Sequence, residues 1–284
     1  MVEREELSNK LVSIITPVLN GKEYIESTIN SVERQTYSNI EYIIIDGGST
    51  DGTVDVIKSY QNEFSHRYRW VSQDDESMYE AVNEGLSLAS GSILAYLNSD
   101  DLYDDNEVVK KVVKFFEKNP DVGWVYSDVH IIDQNDNILY TYKKPEFNWK
   151  EFASIDWSYI PQPTTFWRKE VVEQLNGFDD SFKMASDYDF FLRAGKDFKG
   201  NKLPFIVARF RKHSGSLTSQ RQDINRQEMA RIKDKHSVKD IHFLHFRKLV
   251  FWFKYKLVNF PVYVKKIYLW GSNFFQPRVH NSVI

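Results

Sequence analysis

The 284-residue chain carries a net charge of −3, 15% aromatic residues and no cysteine. It is long enough to bury a full core and too aromatic for a disordered segment. Disulfides and thiolate metal sites are excluded, which fits a reducing compartment. Charge is unevenly placed. From Asn225 to Ile284 there are 12 Lys and Arg against 3 Asp and Glu, a net of +9 that leaves −12 on the first 224 residues. An acidic body with a basic appendage is expected to meet something anionic there. The start, Met1 to Glu6, is polar and lacks the apolar core of a secretory signal. No stretch reaches about 18 uninterrupted apolar residues, so no spanning helix is expected.

In chain order, Leu11 to Pro17 reads as a first strand, which Pro17 should end because proline cannot donate into a ladder. Tyr24, Ile25, Ile29 and Val32 have helical spacing. Ile40 to Ile45 is a second strand, followed by Asp46-Gly47-Gly48-Ser49-Thr50-Asp51-Gly52-Thr53 and a helix through Val54, Ile57 and Tyr60. A short strand at Arg69 to Ser72 precedes a helix marked by Tyr79, Val82, Leu86 and Ala89. Ile93 to Leu97 suits a strand buried on both faces, and it ends abruptly in Asn98-Ser99-Asp100-Asp101. A helix through Val108, Val112 and Phe116 then stops at Asn119-Pro120.

Strands alternating with helices imply right-handed crossovers and an α/β fold: a mainly parallel, nucleotide-binding sheet flanked by helices. After Tyr126 the rhythm changes to a hairpin around Gln134 to Asn137, a Trp-, Tyr- and Pro-rich loop from Trp149 to Pro163, a helix through Tyr188, Phe191 and Leu192, and a strand through Phe205, Ile206 and Val207. Residues 1–219 are expected to form a catalytic domain and 220–284 a basic, aromatic helical extension.

Acidic or polar clusters recur after the strands: Asp46 to Thr53, Asp74-Asp75-Glu76, Asn98 to Asp101 and Ser186-Asp187-Tyr188-Asp189. Loops at the carboxyl edge of one sheet converge, so clusters far apart in sequence can share a pocket. Paired carboxylates on a tight turn repel unless a cation shares them, and hard oxygen ligands suit Mg²⁺ or Mn²⁺ beside a diphosphate. Each cluster alone also reads as a solvated turn or a helix cap.

Val12 to Pro17, Asp46 to Thr53, Asn98 to Asp101 and Asn176-Gly177-Phe178-Asp179 followed by Ser186 to Asp189, in this order, resemble the family 2 glycosyltransferases of the A-type nucleotide-diphospho-sugar fold. The subgroup resembled builds bacterial surface polysaccharides. The likeness covers Leu11 to Thr218. It implies that Thr16, Pro17 and Asp46 surround the base, usually uracil, and that Tyr79, Asn83, Asn98 and Ser99 approach the donor. It further implies that Asp100, with Asp101 second and His213 third, binds the metal, Mn²⁺ or Mg²⁺, and that Asp187 is the catalytic base.

The sequence departs from the family pattern at three places. Asn98 replaces an Asp of the D-x-D motif, Ser186 replaces the Glu before the base, and Asp75-Glu76-Ser77 replaces Asp-Lys-Gly. Arg209, Arg211 and Lys212 are either diphosphate contacts or solubilising charges.

The activity implied is an inverting hexosyl transfer from a UDP-sugar to a glycan hydroxyl. An Asp can serve as its base, because the acceptor proton leaves late as the hydroxyl attacks an oxocarbenium-like centre. Phe243 to Trp270 interleaves aromatics with Arg247, Lys248, Lys254, Lys256, Lys265 and Lys266. This pattern suits the plane of an anionic membrane, or else packing on the body or on a homodimer partner. Nucleic acid is not expected, since no binding motif accompanies the charge. A lipid-linked acceptor and a cytoplasmic, peripheral location at the inner membrane face follow from the membrane reading. The rivals are a sugar nucleotidyltransferase, which lacks its Gly-rich basic loop after the first strand, and a non-catalytic carbohydrate-binding or scaffold protein.

Overall fold

The computed structural model describes residues 9–75, 77–213, 215, 222–236, 238 and 242–270, and the side chains of 222, 242–248 and 267–270 fall outside the description. Glu76 and the side chains of Arg247 and Lys248, singled out above, therefore lie outside the described residues.

A seven-stranded sheet has the order β10-β6-β9-β4-β1-β2-β3. Its strands are β1 (Val12–Val18), β2 (Ile40–Asp46), β3 (Arg67–Ser72), β4 (Ile93–Tyr96), β6 (Trp124–Tyr126), β9 (Phe166–Arg168) and β10 (Gly200–Lys202). All pair in parallel except β9, which runs against both β4 and β6. Alternate residues of the buried strands feed opposite faces. Ile14, Tyr42, Ile44 and Ala95 pack on α1 (Ile25–Glu33), α2 (Thr53–Ser59) and α4 (Val108–Lys118). Ile15, Ile43, Ile45, Leu94 and Tyr96 pack on α3 (Met78–Leu88), α5 (Trp149–Ser154) and α7 (Ser186–Asp197). Each fully buried Ile or Leu contributes about 1.5–3 kcal/mol of apolar burial, so the two-sided core holds the sheet as a rigid base for its loops.

Strand order progresses from β1 outward through β2 to β3, then reverses across β1 to β4. The carboxyl ends of β1 and β4 therefore open at a topological switch point, the place where such sheets bind ligands. β1 runs through Pro17, where an end was expected, to Val18. The β4 ladder stops where the Leu97 N–H donates to the Ile15 carbonyl. Two residues on, the Pro17 nitrogen faces the same side with no ladder to interrupt.

A second sheet, β5-β11-β7-β8, is built from β5 (Leu102–Tyr103), β7 (Val129–Ile132), β8 (Ile138–Tyr142) and β11 (Ala208–Arg211). β7 and β8 form the expected hairpin. The strand expected at Phe205 to Val207 begins instead at Ala208, because β11 takes its register from β5 (Ala208 opposite Tyr103) and from β7 (Arg209 opposite His130). The loop expected from Trp149 includes α5, capped where the Asn148 side chain accepts the Glu151 N–H. α6 (Lys169–Gln174) follows β9.

Beyond residue 220 lie α8 (Gln222–Lys235), α9 (His242–Val258) and α10 (Phe260–Trp270). They pack on the body. Met229, Ile232, Phe251 and Tyr255 are buried in the same core cluster as α5 and α7. Asn259 exchanges hydrogen bonds with the Lys143 backbone at the end of β8. No helix among the described residues is long and apolar enough to cross a membrane.

Candidate active site

The switch point opens into a cavity of about 760 Å³ whose lining includes Pro17, Gly47, Asp100, His213, Trp157 and Asp187. One end rests on β1, β2 and β4. The other is formed by the Trp157–Pro163 loop, the start of α7 and one face of α8, which contributes Asn225 and Met229.

At the β2 end, Asp46 is fully buried and its Oδ2 accepts the N–H groups of Gly48 (3.2 Å) and Ser49 (3.1 Å) and the Ser72 hydroxyl (2.7 Å). Gly48 has φ +82°, a conformation glycine adopts freely, and this folds the loop back over the carboxylate. Asp46 Oδ1 is buried without a hydrogen-bond partner among the described residues. Gly47 beside it lines the cavity. Thr16 sits beneath this floor, accepting the Tyr42 hydroxyl at 3.0 Å, while Pro17, also buried, lines the cavity. Asp75, on the loop after β3, also lines the cavity, and burial followed by the charges of Glu84 and Glu80 pushes its carboxyl up to about 6.

At the end of β4, the antiparallel pairing of β5 with β11 decides which acid faces the cavity. It draws Arg211 back against the turn, where its N–H donates to Asp101 Oδ1 (3.0 Å) and its Nε to the Asp100 carbonyl (2.8 Å). Two residues later His213 Nε2 lies 3.0 Å from Asp100 Oδ2. Asp100 and His213 both line the cavity.

Asp101 turns the other way. It is fully buried, and its Oδ2 accepts from the Asn98 amide at 3.2 Å. Burial and the neighbouring Asp100 hold the Asp101 carboxyl well above its ordinary range. Asp101, expected as the second metal contact, thus serves the turn and is absent from the cavity lining. Arg211 and Arg209 are likewise committed elsewhere. Arg211 is 1% exposed, with its guanidinium on the Asp133 carbonyl (3.0 Å) and over the Tyr24 ring, and Arg209 donates to Asp104 (2.8 Å).

The Asn98 departure has a local reason. Its amide group donates to Asp101 and to Gln162 Oε1 (3.2 Å), and Gln162 is itself tied to the Tyr96 carbonyl (2.7 Å). A carboxylate at position 98 would face that of Asp101. Asn98 Oδ1 is left buried and unpartnered among the described residues, on a side chain that lines the cavity beside Ser99.

Across the cavity, Asp187 occupies the second position of α7, where backbone N–H groups have no intrahelical partner. Its Oδ1 accepts the Tyr188 N–H at 2.8 Å. Burial pushes its carboxyl up to about 6 against the pull of the Tyr188 and Asp187 N–H groups and the Tyr79 hydroxyl, and Glu228 adds to the rise. Tyr79 lines the cavity, stacks on Phe178, and its hydroxyl meets Asp187 and the Met184 carbonyl (3.3 Å). Asn83 does not line the cavity. Both ends of its amide lock Phe178, donating to the Phe178 carbonyl (2.8 Å) and accepting its N–H (2.9 Å). Asp189 is a helix-start acid turned into the fold, paired with Arg193 at 2.7 Å.

The chain matches the family model described as "Glycosyl transferase family 2" over residues 13–175, more than half its length. It belongs to glycosyl transferase family 2. An uncharacterized glycosyltransferase of Rickettsia prowazekii is 29% identical over 226 residues, covering 76% of this chain and 68% of its own. A PGL/p-HBAD biosynthesis glycosyltransferase of Mycobacterium bovis is 26% identical over 204 residues, covering 70% and 73%.

Two solved structures share the fold. S. aureus TarS 1-349 in complex with UDP-GlcNAc has TM-score 0.61 and 20% identity, with 74% of this chain and 61% of that one covered. The mannosyltransferase PcManGT of Pyrobaculum calidifontis, in complex with GDP-Man and Mn²⁺, has TM-score 0.61 and 19% identity over 84% and 69%. The sheet order and helix layers of this family 2 member are thus those of the A-type fold. The family match ends at residue 175, so Asp187, His213 and α8 all lie beyond it.

Proposed function

We propose that this protein is an inverting, metal-dependent glycosyltransferase that moves a sugar from a UDP-sugar to a hydroxyl of a lipid-linked glycan at the cytoplasmic face of the membrane. The observation that carries the reading is one cavity with an Asp100–His213 pair on one wall and the raised carboxyl of Asp187 on another. Inversion needs that separation, because the base must reach the acceptor on the face opposite the departing diphosphate.

Asp100 and His213 suit Mn²⁺ or Mg²⁺. A carboxylate and an imidazole give two hard-to-borderline ligands, and such ions complete their shell with substrate phosphate and water. No group of three or more metal-ligating side chains occurs among the described residues, which fits an ion held jointly with a donor. When bound, the ion would neutralise charge on the leaving diphosphate. Asp46, through its unpartnered Oδ1, accepts from the base, and Pro17 packs against it. Asn98, through its unpartnered Oδ1, and Ser99 meet the ribose. Asp187 takes the proton from the acceptor hydroxyl. Its raised carboxyl makes it a stronger base than an exposed Asp and leaves it ionised at neutral pH.

The lipid-linked acceptor and the membrane are supported by the two faces of α9. Phe251 and Tyr255 point into the core, whereas Leu249, Trp252, Phe253 and Leu257, with Phe260 of α10, are each at least 50% exposed. Lys254 and Lys265 are exposed alongside them. An apolar stripe edged by lysines suits an anionic bilayer surface. Lys266, counted among the basic residues of the extension, turns inward instead to the Tyr142 hydroxyl.

A panel of UDP- and GDP-sugars, assayed for hydrolysis with and without Mn²⁺, tests the reading together with Asp100→Asn. Expected are turnover of a UDP-sugar that needs the metal, and loss of metal-dependent UDP binding in the variant. No turnover together with UDP binding indifferent to metal in the parent protein would favour a non-catalytic binding protein, and turnover without metal would overturn the metal dependence alone.

A further inference from the structure

Helix α8 reaches back from beyond the family-matched region to the start of α7, where Asp187 stands. Glu228, 5% exposed, places Oε1 on the Lys183 N–H (2.7 Å) and Oε2 on the N–H groups of Met184 (2.8 Å) and Ala185 (3.0 Å). Ala185 is the N-cap of α7 and offers no capping side chain, so a carboxylate from another helix caps it in trans. Lys183 and Met184 also line the cavity, and the Met184 carbonyl receives the Tyr79 hydroxyl. On the other side of Asp187, the buried Asp189 is held by Lys235 (3.3 Å), the last residue of α8, and by His236 Nε2 (2.7 Å), the residue after it. The helix therefore grips the first turn of α7 before and after the base.

We infer that Glu228 is a positioning residue for the reaction: it fixes the Lys183–Ala185 segment and the first turn of α7, and thereby aims the Asp187 carboxylate at the acceptor. This rests on the reading of Asp187 as the base. The groups that act on Asp187 are Tyr79 from α3, Glu228 from α8 and the N–H groups of Tyr188 and of Asp187 itself, and Asp187 in turn acts on Tyr96 of β4. Of these, Glu228 is the carboxylate, and it opposes ionisation of Asp187. Ser186 stands where the family pattern has Glu, and here the second carboxylate beside the base arrives from α8.

The test uses the full chain with Mn²⁺ and UDP-GlcNAc, or whichever donor the panel selects, with water as acceptor. Glu228→Gln, Glu228→Asp and Asp187→Asn are compared between about pH 5 and 9. Glu228→Gln should lower kcat about tenfold and move the acid limb down by about half a pH unit, with UDP affinity within about twofold of the parent. Glu228→Asp keeps the charge on a shorter arm. It should lose kcat by a similar factor and leave the acid limb in place. A purely structural cap would change the melting temperature without moving the acid limb. The inference is overturned if Glu228→Gln reproduces the parent's kcat and pH profile while Asp187→Asn is inactive. Should Glu228→Gln not fold, an undiminished kcat in Glu228→Asp overturns it equally. An active Asp187→Asn would instead remove the base assignment itself, which is a separate failure.

Discussion

Replacing Asp187 with Asn should abolish transfer and at the same time stabilise the protein. The carboxyl titrates near 6 in the fold against a reference of 3.8, so its ionised form is disfavoured in the native state relative to the unfolded chain. A carboxyl raised from 3.8 to about 6 makes ionised Asp187 cost at most about 3 kcal/mol above its folded-state titration point. The sign follows from linkage. A carboxyl raised on folding binds more protons in the native state, so its penalty is absent below the unfolded value, grows as pH rises, and levels off above about 6.

Asn keeps an acceptor oxygen for the Tyr188 N–H and has no charge to desolvate. The stability gap between Asp187→Asn and the parent should therefore be about 3 kcal/mol at pH 8 and about half that at pH 5. Urea melts at the two pH values measure it, with a rise in melting temperature of roughly 2–4 °C per kcal/mol as a parallel readout. Turnover should fall about 10²- to 10⁴-fold, the usual contribution of a general base. A variant no more stable than the parent at pH 8 would refute the strained-base argument, and one that retains substantial turnover would move the base elsewhere.

Asn98→Asp should destabilise the turn by about 2–4 kcal/mol, through loss of the hydrogen bond to Asp101 and crowding of two buried carboxyls, and by less at pH 5 than at pH 8, since acid favours the protonated form that burial already promotes. Denaturant melts at both pH values check this, and equal losses would exclude the electrostatic explanation. On the outer face, Trp252→Glu combined with Phe253→Glu should weaken binding to anionic vesicles about a hundredfold, since each side chain buries about 1.5–3 kcal/mol of apolar surface, while the melting temperature holds. Undiminished vesicle binding, or a dimer of the parent protein that the double substitution splits, would assign the stripe to packing.

The alternating core was legible because strands buried on both faces leave runs such as Ile40 to Ile45 that no exposed segment would carry. The acidic turn was legible for the same reason, since an apolar run ending in acids marks the carboxyl edge of a strand. What stayed hidden was settled by pieces too short to have a period. β5 is two residues long and β9 three, yet β9 supplies the antiparallel strand inside the sheet, between β6 and β4, and β5 decides that Asp100 faces the cavity and Asp101 the interior. The motif resemblance ranks Asp100 before Asp101, and the partner strand supplies the physical difference, bringing the Arg211 N–H to Asp101 and His213 to Asp100. Glu228 offered no signal, because its three hydrogen bonds go to backbone N–H groups, which every sequence possesses.

The charge of the extension suggests an appendage, with packing on the body or on a partner as the alternative. Its packing argues for a shared unit. Phe251 and Tyr255 support the Trp157 ring at centroid distances of 6.0 and 5.0 Å, Trp157 lines the cavity, and Lys233 of α8 pairs with Asp156 beside it. Removing the segment from Arg247 onward to test membrane attachment would strip two buried aromatics from behind the Trp157 wall of the cavity, so lost activity and lost binding would be indistinguishable. Substitutions on the outer face avoid this, because Trp252 and Phe253 point away from the core residues that flank them on α9. If that face rests on a bilayer, the helix that touches lipid also braces the wall of the cavity that Asp187 lines. An acceptor anchored in the same bilayer would then meet the base without leaving the surface.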